Sequence, residues 1–155
     1  VIATTQWIIV IEVKDYSGWI FGNGNQTNWT QVLAYGREKY RFYNPIKQVN
    51  SQILSLKNSL KQFDKIPFFP IIVFYGDCEL KEINYVPDGT IIVKPHRLIE
   101  ALNSIKVNNE TAPYENKQQV LDILKQAVLN GSNKDYYRQH IDNINNIVGK
   151  HRILD

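Results

Sequence analysis

The chain has 155 residues, 43% of them hydrophobic, and a formal net charge of +3, which fits one globular domain with a sizeable core. No apolar run approaches bilayer length, no basic region leads into an apolar one at the start, and one cysteine, Cys78, excludes an internal disulfide. No Cys/His spacing suits structural zinc, and the lone cysteine makes a reducing cytoplasm the expected setting.

The charge is unevenly placed. Residues 1–60 hold Lys14, Arg37, Lys39, Arg41, Lys47 and Lys57 against Glu12, Asp15 and Glu38, and the remainder of the chain balances. A basic bias near one end suits an anionic partner there.

Val1 to Thr4, a turn near Thr5-Gln6, and Trp7 to Lys14 read as a β-hairpin. Because the chain opens on Val1 and enters a strand at once, its first structural element is expected to lie further upstream. Ile8 to Ile11 is an unbroken β-branched run, the pattern of a strand buried on both faces. Glu12 and Lys14 follow, two residues apart, so strand geometry aims both side chains at one face. Asp15 to Gly18 is a turn and Trp19 to Phe21 a short strand. Gly22 to Asn28 is a polar stretch with two glycines. It lacks the Lys-Ser/Thr of a P-loop and the GxGxxG spacing, so it is read as a wide connection between strands.

Lys39 to Tyr43 alternates charge and aromatic. Asn44-Pro45 then pairs a capping residue with proline at the first helical position. Ile46, Val49, Ile53, Leu56 and Leu60 recur at helical spacing, predicting an amphipathic helix to about Gln62. Ile71 to Tyr75 is a second buried strand, Glu79 to Ile83 a weaker one-sided edge strand, and Thr90 to Val93 a third. Pro95 opens a helix to about Ile105. Val107 to Pro113 is polar and turn-rich and marks the boundary between a core, residues 1–106, and a helical appendix, residues 107–155. There Val120/Leu121, Leu124 and Val128 mark one helix and Tyr137, Ile141, Ile144 and Val148 another, joined at Asn130-Gly131-Ser132. The fold class expected is α/β, a mixed central sheet with flanking helices.

Three Glu-x-Lys triplets occur: 12–14, 79–81 and 115–117. The last two read as surface charge. Only the first follows a fully apolar strand, where charges are costly unless compensated. A half-buried ion pair explains it as well as a metal site does. For the metal reading, Glu12 and the Val13 carbonyl could hold Mg²⁺ (or Mn²⁺), which asks for few protein oxygens, while Lys14 orients a water or stabilises a phosphate in transition. Gln48 falls in the first turn of its helix, off the apolar stripe, where it could reach that water or an anion. A solvent-facing glutamine is the plainer alternative. Arg37, Lys39 and Arg41, interleaved with Tyr40, Phe42 and Tyr43, and with Lys47 just beyond, could hold a nucleic-acid backbone, or could form the charged face of an ordinary strand. Trp7, Trp19 and Trp29 are read as core or near-core residues. His96, His140 and His151 have no partner spacing and are read as structural or surface.

The run Val10-Ile11-Glu12-Val13-Lys14-Asp15-Tyr16-Ser17-Gly18, then Trp29, then Asn44-Pro45-Ile46-Lys47-Gln48, resembles the nuclease-related domain (NERD), a family placed in the PD-(D/E)XK nuclease superfamily. The resemblance covers roughly residues 1–105. It implies a restriction-endonuclease-like core, Mg²⁺-dependent phosphodiester cleavage and DNA as substrate, with Glu12 and Lys14 as the acid-lysine pair and Gln48 as the helix glutamine. Two departures stand out. The superfamily's strand Asp would fall upstream of Val1, and a histidine common four residues after the helix glutamine is Gln52 here. A catalytically inactive nucleic-acid-binding module on the same fold, or a protein-interaction domain using the C-terminal helices, are the competing expectations.

Overall fold

The structure, a computed structural model, describes residues 1–63 and 65–131. The predicted helix with Tyr137, Ile141, Ile144 and Val148 lies outside the described residues, as do His140 and His151. The hairpin at the start is present: β1 (Ile2–Ala3) pairs antiparallel with β2 (Ile8–Asp15), Ile2 opposite Ile9. The turn between them is tied by Thr4, whose hydroxyl accepts from the Trp7 N–H at 3.0 Å.

Two more elements complete the first sheet, β6 (Phe68–Tyr75) and β8 (Ile91–Val93), in the order β1-β2-β6-β8. β2, β6 and β8 run parallel. Helix α1 (Pro45–Ser59) covers one face and α2 (Leu98–Asn108) the other. Burial from both sides accounts for the unbroken apolar run of β2. Ile8 and Val10 face α1 with Ile72 and Phe74, whereas Trp7 and Ile9 face the α2 side with Ile71, Val73 and Ile105.

The second sheet contains β3 (Gly18–Asn23), β4 (Asn28–Leu33), β5 (Glu38–Tyr43) and β7 (Cys78–Asn84), in the order β5-β4-β3-β7. The mixed α/β architecture expected from sequence is therefore present, with its strands divided between two sheets. The stretch read as a wide polar loop is narrower than expected: Gly22 and Asn23 belong to β3, Asn28 begins β4, and only 24–27 turn between them.

Two parallel strand pairs pass from one sheet into the other at the same corner. β2 gives way to β3 across Tyr16-Ser17, and β6 to β7 across Gly76-Asp77. The pairing continues through the bend, where Tyr16 N–H donates to Tyr75 C=O (3.3 Å) and Gly18 N–H to Asp77 C=O (3.1 Å). Gly76 has φ +83°, and a Cβ there would lie 2.5 Å from the Tyr16 carbonyl oxygen, so only glycine lets the two bends nest. The inner face of the second sheet presents Ile20, Trp29 and Phe42 to Ile46 and Phe74, joining both sheets and α1 in one core. Helix α3 (Lys117–Gly131) adds Val120 and Leu124 to that core. Among the described residues, no helix is long and apolar enough to cross a membrane.

Candidate active site

The first turn of α1 is fixed by Asn44, which is fully buried. Its carbonyl oxygen accepts from Ile46 N–H and Lys47 N–H. Its amide nitrogen donates to the carbonyls of Asn23, Gly24 and Gln26. One side chain thus caps the helix and anchors the β3–β4 turn to it.

This cap sets α1 antiparallel to β2, and the two repeats match. Two residues of strand rise about 6.6 Å, and four residues of helix about 6.0 Å. Glu12 and Lys14 therefore meet Gln48 and Gln52 in crossed order. Lys14 Nζ donates to Gln48 Oε1 at 2.7 Å and pairs with Glu12 Oε1 at 2.9 Å. Gln52 Nε2 donates to Glu12 Oε2 at 2.9 Å. The four side chains form one polar chain under the helix, Gln48–Lys14–Glu12–Gln52. The Glu12 and Lys14 side chains are 13% and 17% exposed, enough to reach solvent and little enough to strengthen every electrostatic contact.

Of the residues picked out from sequence, the structure brings together Glu12, Lys14 and Gln48. Val13 points to the opposite face and is exposed, and its backbone groups face the open edge of the strand. Ile8 and Tyr16 direct their N–H groups toward β6, so alternation turns Val13's N–H and C=O to the other edge, beyond the last β1 pairing at Ile9. Arg37, Lys39 and Arg41 are exposed along β5 and its approach, and Lys47 is half-buried in the first turn of α1. Among the described residues, no hydrogen bond or ion pair ties these four into the cluster.

Two neighbours were not assigned to the site from sequence. Gln52 was noted only as a replacement for histidine, yet it holds the second Glu12 oxygen. Its spacing of four from Gln48 on one helix was the available signal. Tyr16 continues the Glu12–Lys14 face of the strand. Its ring lies 4.5 Å from that of Phe42 and 6.3 Å from that of Phe74. Its hydroxyl makes no hydrogen bond among the described residues. Burial, and then the negative charge of Glu12, push its pKa above the usual tyrosine value, so it stays a neutral donor.

The donor set on offer to Mg²⁺ is one carboxylate, Glu12, and one carbonyl on the open strand edge, Val13. It goes no further: among the described residues no three His, Cys, Asp or Glu side chains come together.

A cluster of acid, amine and amide held beneath a helix N-terminus suits contact with a phosphate, and comparison with known proteins points the same way. Residues 1–75 match the nuclease-related domain family. The matched span ends at Tyr75, the last residue of β6. The nuclease-related segment therefore includes the whole polar cluster and stops at the corner before β7, which bears out the nuclease-related resemblance over residues 1–75 of the roughly 1–105 expected. An uncharacterized protein of Bacillus anthracis is 27% identical over 146 residues, 92% of this chain and 64% of that protein. The chain thus spans less than two thirds of the length of this relative. No solved structure matches the chain at a significant level. The match makes residues 1–75 a nuclease-related segment.

Proposed function

We propose that the chain carries a Mg²⁺-dependent nuclease domain of PD-(D/E)XK type that hydrolyses phosphodiester bonds in DNA. The observation behind this reading is the Lys14 ammonium held between Glu12 Oε1 and Gln48 Oε1 within a segment that matches the nuclease-related domain. Glu12 and the Val13 carbonyl are the residues that would hold the ion. Bound Mg²⁺ would supply positive charge against the scissile phosphate and acidify a nearby water.

The protein's own groups account for the rest. Gln48 fixes Lys14 from the helix side, so the ammonium stands ready to orient a water or to balance charge gathering on phosphate oxygens. Gln52 keeps the Glu12 carboxylate in one rotamer. Tyr16 offers an unspent O–H donor to a phosphate oxygen alongside. The N-terminus of α1, with Gln48 in its first turn, adds a favourable potential for an anion.

Glu12→Gln and Lys14→Met, each tested in the whole chain on plasmid DNA with Mg²⁺, are expected to cut about 100-fold more slowly or worse. Undiminished cutting by both variants would remove the site from consideration.

One observation favours a second reading, a nucleic-acid-binding module that does not cut. Both Glu12 oxygens are already engaged, by Lys14 and Gln52, and among the described residues no three His, Cys, Asp or Glu side chains gather to hold a metal. Salt-dependent binding of DNA with no cleavage in Mg²⁺ or Mn²⁺ would favour that alternative.

A further inference from the structure

The second sheet has an inner face, which carries Ile20, Trp29 and Phe42 into the core, and an outer face. The strand registers place the outer side chains in cross-strand rows. Lys39, Val32, Trp19 and Glu79 form one row, and Arg41, Thr30, Phe21 and Glu82 the next. Tyr43 and Asn28 continue the pattern on β5 and β4, and Asn23 and Asn84 on β3 and β7. No helix among the described residues buries its apolar side here. α1 and α3 pack on the inner side, and α2 lies on the far face of the first sheet.

The chemistry changes across these rows. The β5 end is basic, and Lys39 and Arg41 are exposed with no ion pair among the described residues. The middle is aromatic: Trp19 and Phe21 are half-buried, two residues apart on β3. The β7 end is polar and acidic, but its charge is partly answered. Glu79 pairs with Lys81 at 2.6 Å, and Glu82 accepts from the Asn84 amide at 2.9 Å. Lys81 also stands 5.3 Å from the centre of the Trp19 ring, which steadies the indole. Beside Phe21 is a hollow of about 140 Å³, bordered by Asn23, Asn28, Thr30, Glu82 and Asn84. That is roughly the space one six-membered ring occupies.

The geometry points to this face as a platform for single-stranded nucleic acid, with phosphates along Lys39 and Arg41, bases stacked on Trp19 and Phe21, and one base edge met by Asn84 and Glu82. The inference rests on the nucleic-acid reading above and adds which form is bound and where. Charge complementarity selects a polyanion, and the aromatic rows select one whose bases are unpaired, because a duplex keeps its ring faces inside its own stack. Basic residues on an edge strand also guard against strand-to-strand aggregation. That accounts for Lys39 and Arg41 but not for aromatics two strands further in, nor for an amide-rimmed hollow beside one of them.

The test is a titration of the whole chain with short single strands and the matching duplex in EDTA, followed by Trp fluorescence and by anisotropy. Trp7 and Trp29 are 7% and 1% exposed, so a quench reports chiefly on Trp19. Single strands are expected to bind more tightly than duplex and to quench the emission. Trp19→Phe should keep the binding and lose most of the quench, and Trp19→Ala should weaken binding about tenfold. Lys39→Glu with Arg41→Glu should weaken it further and lower the log–log salt slope by about 1.4. Lys106→Glu, on the exposed side of α2, should change neither. Deoxy and ribo strands run in parallel identify the sugar that is preferred. Unchanged affinity in the Lys39/Arg41 double variant, an undiminished quench in Trp19→Phe, or tighter duplex binding would overturn the proposal. No divalent ion is present, so failed cleavage leaves this inference standing and failed binding here leaves the Glu12 site standing.

Discussion

A carboxylate and an ammonium 2.9 Å apart, each mostly shielded from water, put opposing terms in competition. Desolvation penalises both charges, their attraction offsets part of that, and the two glutamine amides supply hydrogen bonds the pair would otherwise lack. Removing one charge alone leaves the other shielded without an ionic partner. Lys14→Met and Glu12→Gln are each expected to cost about 1–2 kcal/mol, and the double variant less than the sum. Urea midpoints of all four proteins check this, and strict additivity would show that the pair is not coupled. Tyr16 gives a pH prediction. Its pKa is raised in the fold, so the folded state keeps a proton that the unfolded chain releases near pH 10. The associated stability is complete below that value and declines as pH rises through the folded pKa. Tyr16→Phe should flatten the alkaline arm of the stability curve. Glu12 and Lys14 were legible in the sequence because strand alternation fixes their common face. For Gln52 the sequence offers only its spacing of four from Gln48, and the helix–strand crossing is what shows its amide reaching Glu12.

Helix α1 and the β3–β4 turn depend on one buried side chain, Asn44, which makes five hydrogen bonds to backbone groups. Asn44→Ala strips a cap and leaves carbonyls of a tight turn without a partner, so a loss of about 2–4 kcal/mol is expected. Because that cap sets the position of Gln48, binding or cleavage should fall by more than unfolding alone explains. The comparison is activity per folded molecule, with the folded fraction read by circular dichroism. A purely proportional loss would separate the cap from the site. Asn44-Pro45 was the clearest element signal in the chain, since the cap and the proline both act locally. β4 was hidden for a physical reason. Along Trp29-Thr30-Gln31-Val32, the buried residues Trp29 and Val32 face opposite sides of the second sheet, so no period of two emerges. The expected wide loop was then only the mouth of a hairpin.

At the scale of the molecule, the sheet corner and α3 decide what folds as a unit. β2–β3 and β6–β7 bend together, so the strand that carries Glu12 is continuous with the sheet that carries Trp19. Such long-range parallel pairing is invisible to a local reading of the sequence, which sees only a turn at Asp15 to Gly18 and a gap between two strands after Tyr75. α3 is bound to the same core: Val120 is fully buried and Leu124 nearly so. Just ahead of it, Tyr114 is fixed to the first hairpin, donating from its hydroxyl to Thr4 C=O (2.7 Å) and from its N–H to Thr5 C=O (3.1 Å). Burial raises the Tyr114 pKa as well, as a phenol held against the fold requires. Leu124→Ala is therefore expected to cost about 2–4 kcal/mol, a fall of roughly 5–15 °C in Tm for a chain of this size. A chain ending at Asn109 should lose more than that, because the side of α1 under α3 and the Thr4–Thr5 carbonyls would face water together. Thermal unfolding of both variants beside the parent decides the matter. An unchanged Tm in the shortened chain would mean that the sheets and α1 fold without the helix, leaving α3 free to serve another partner.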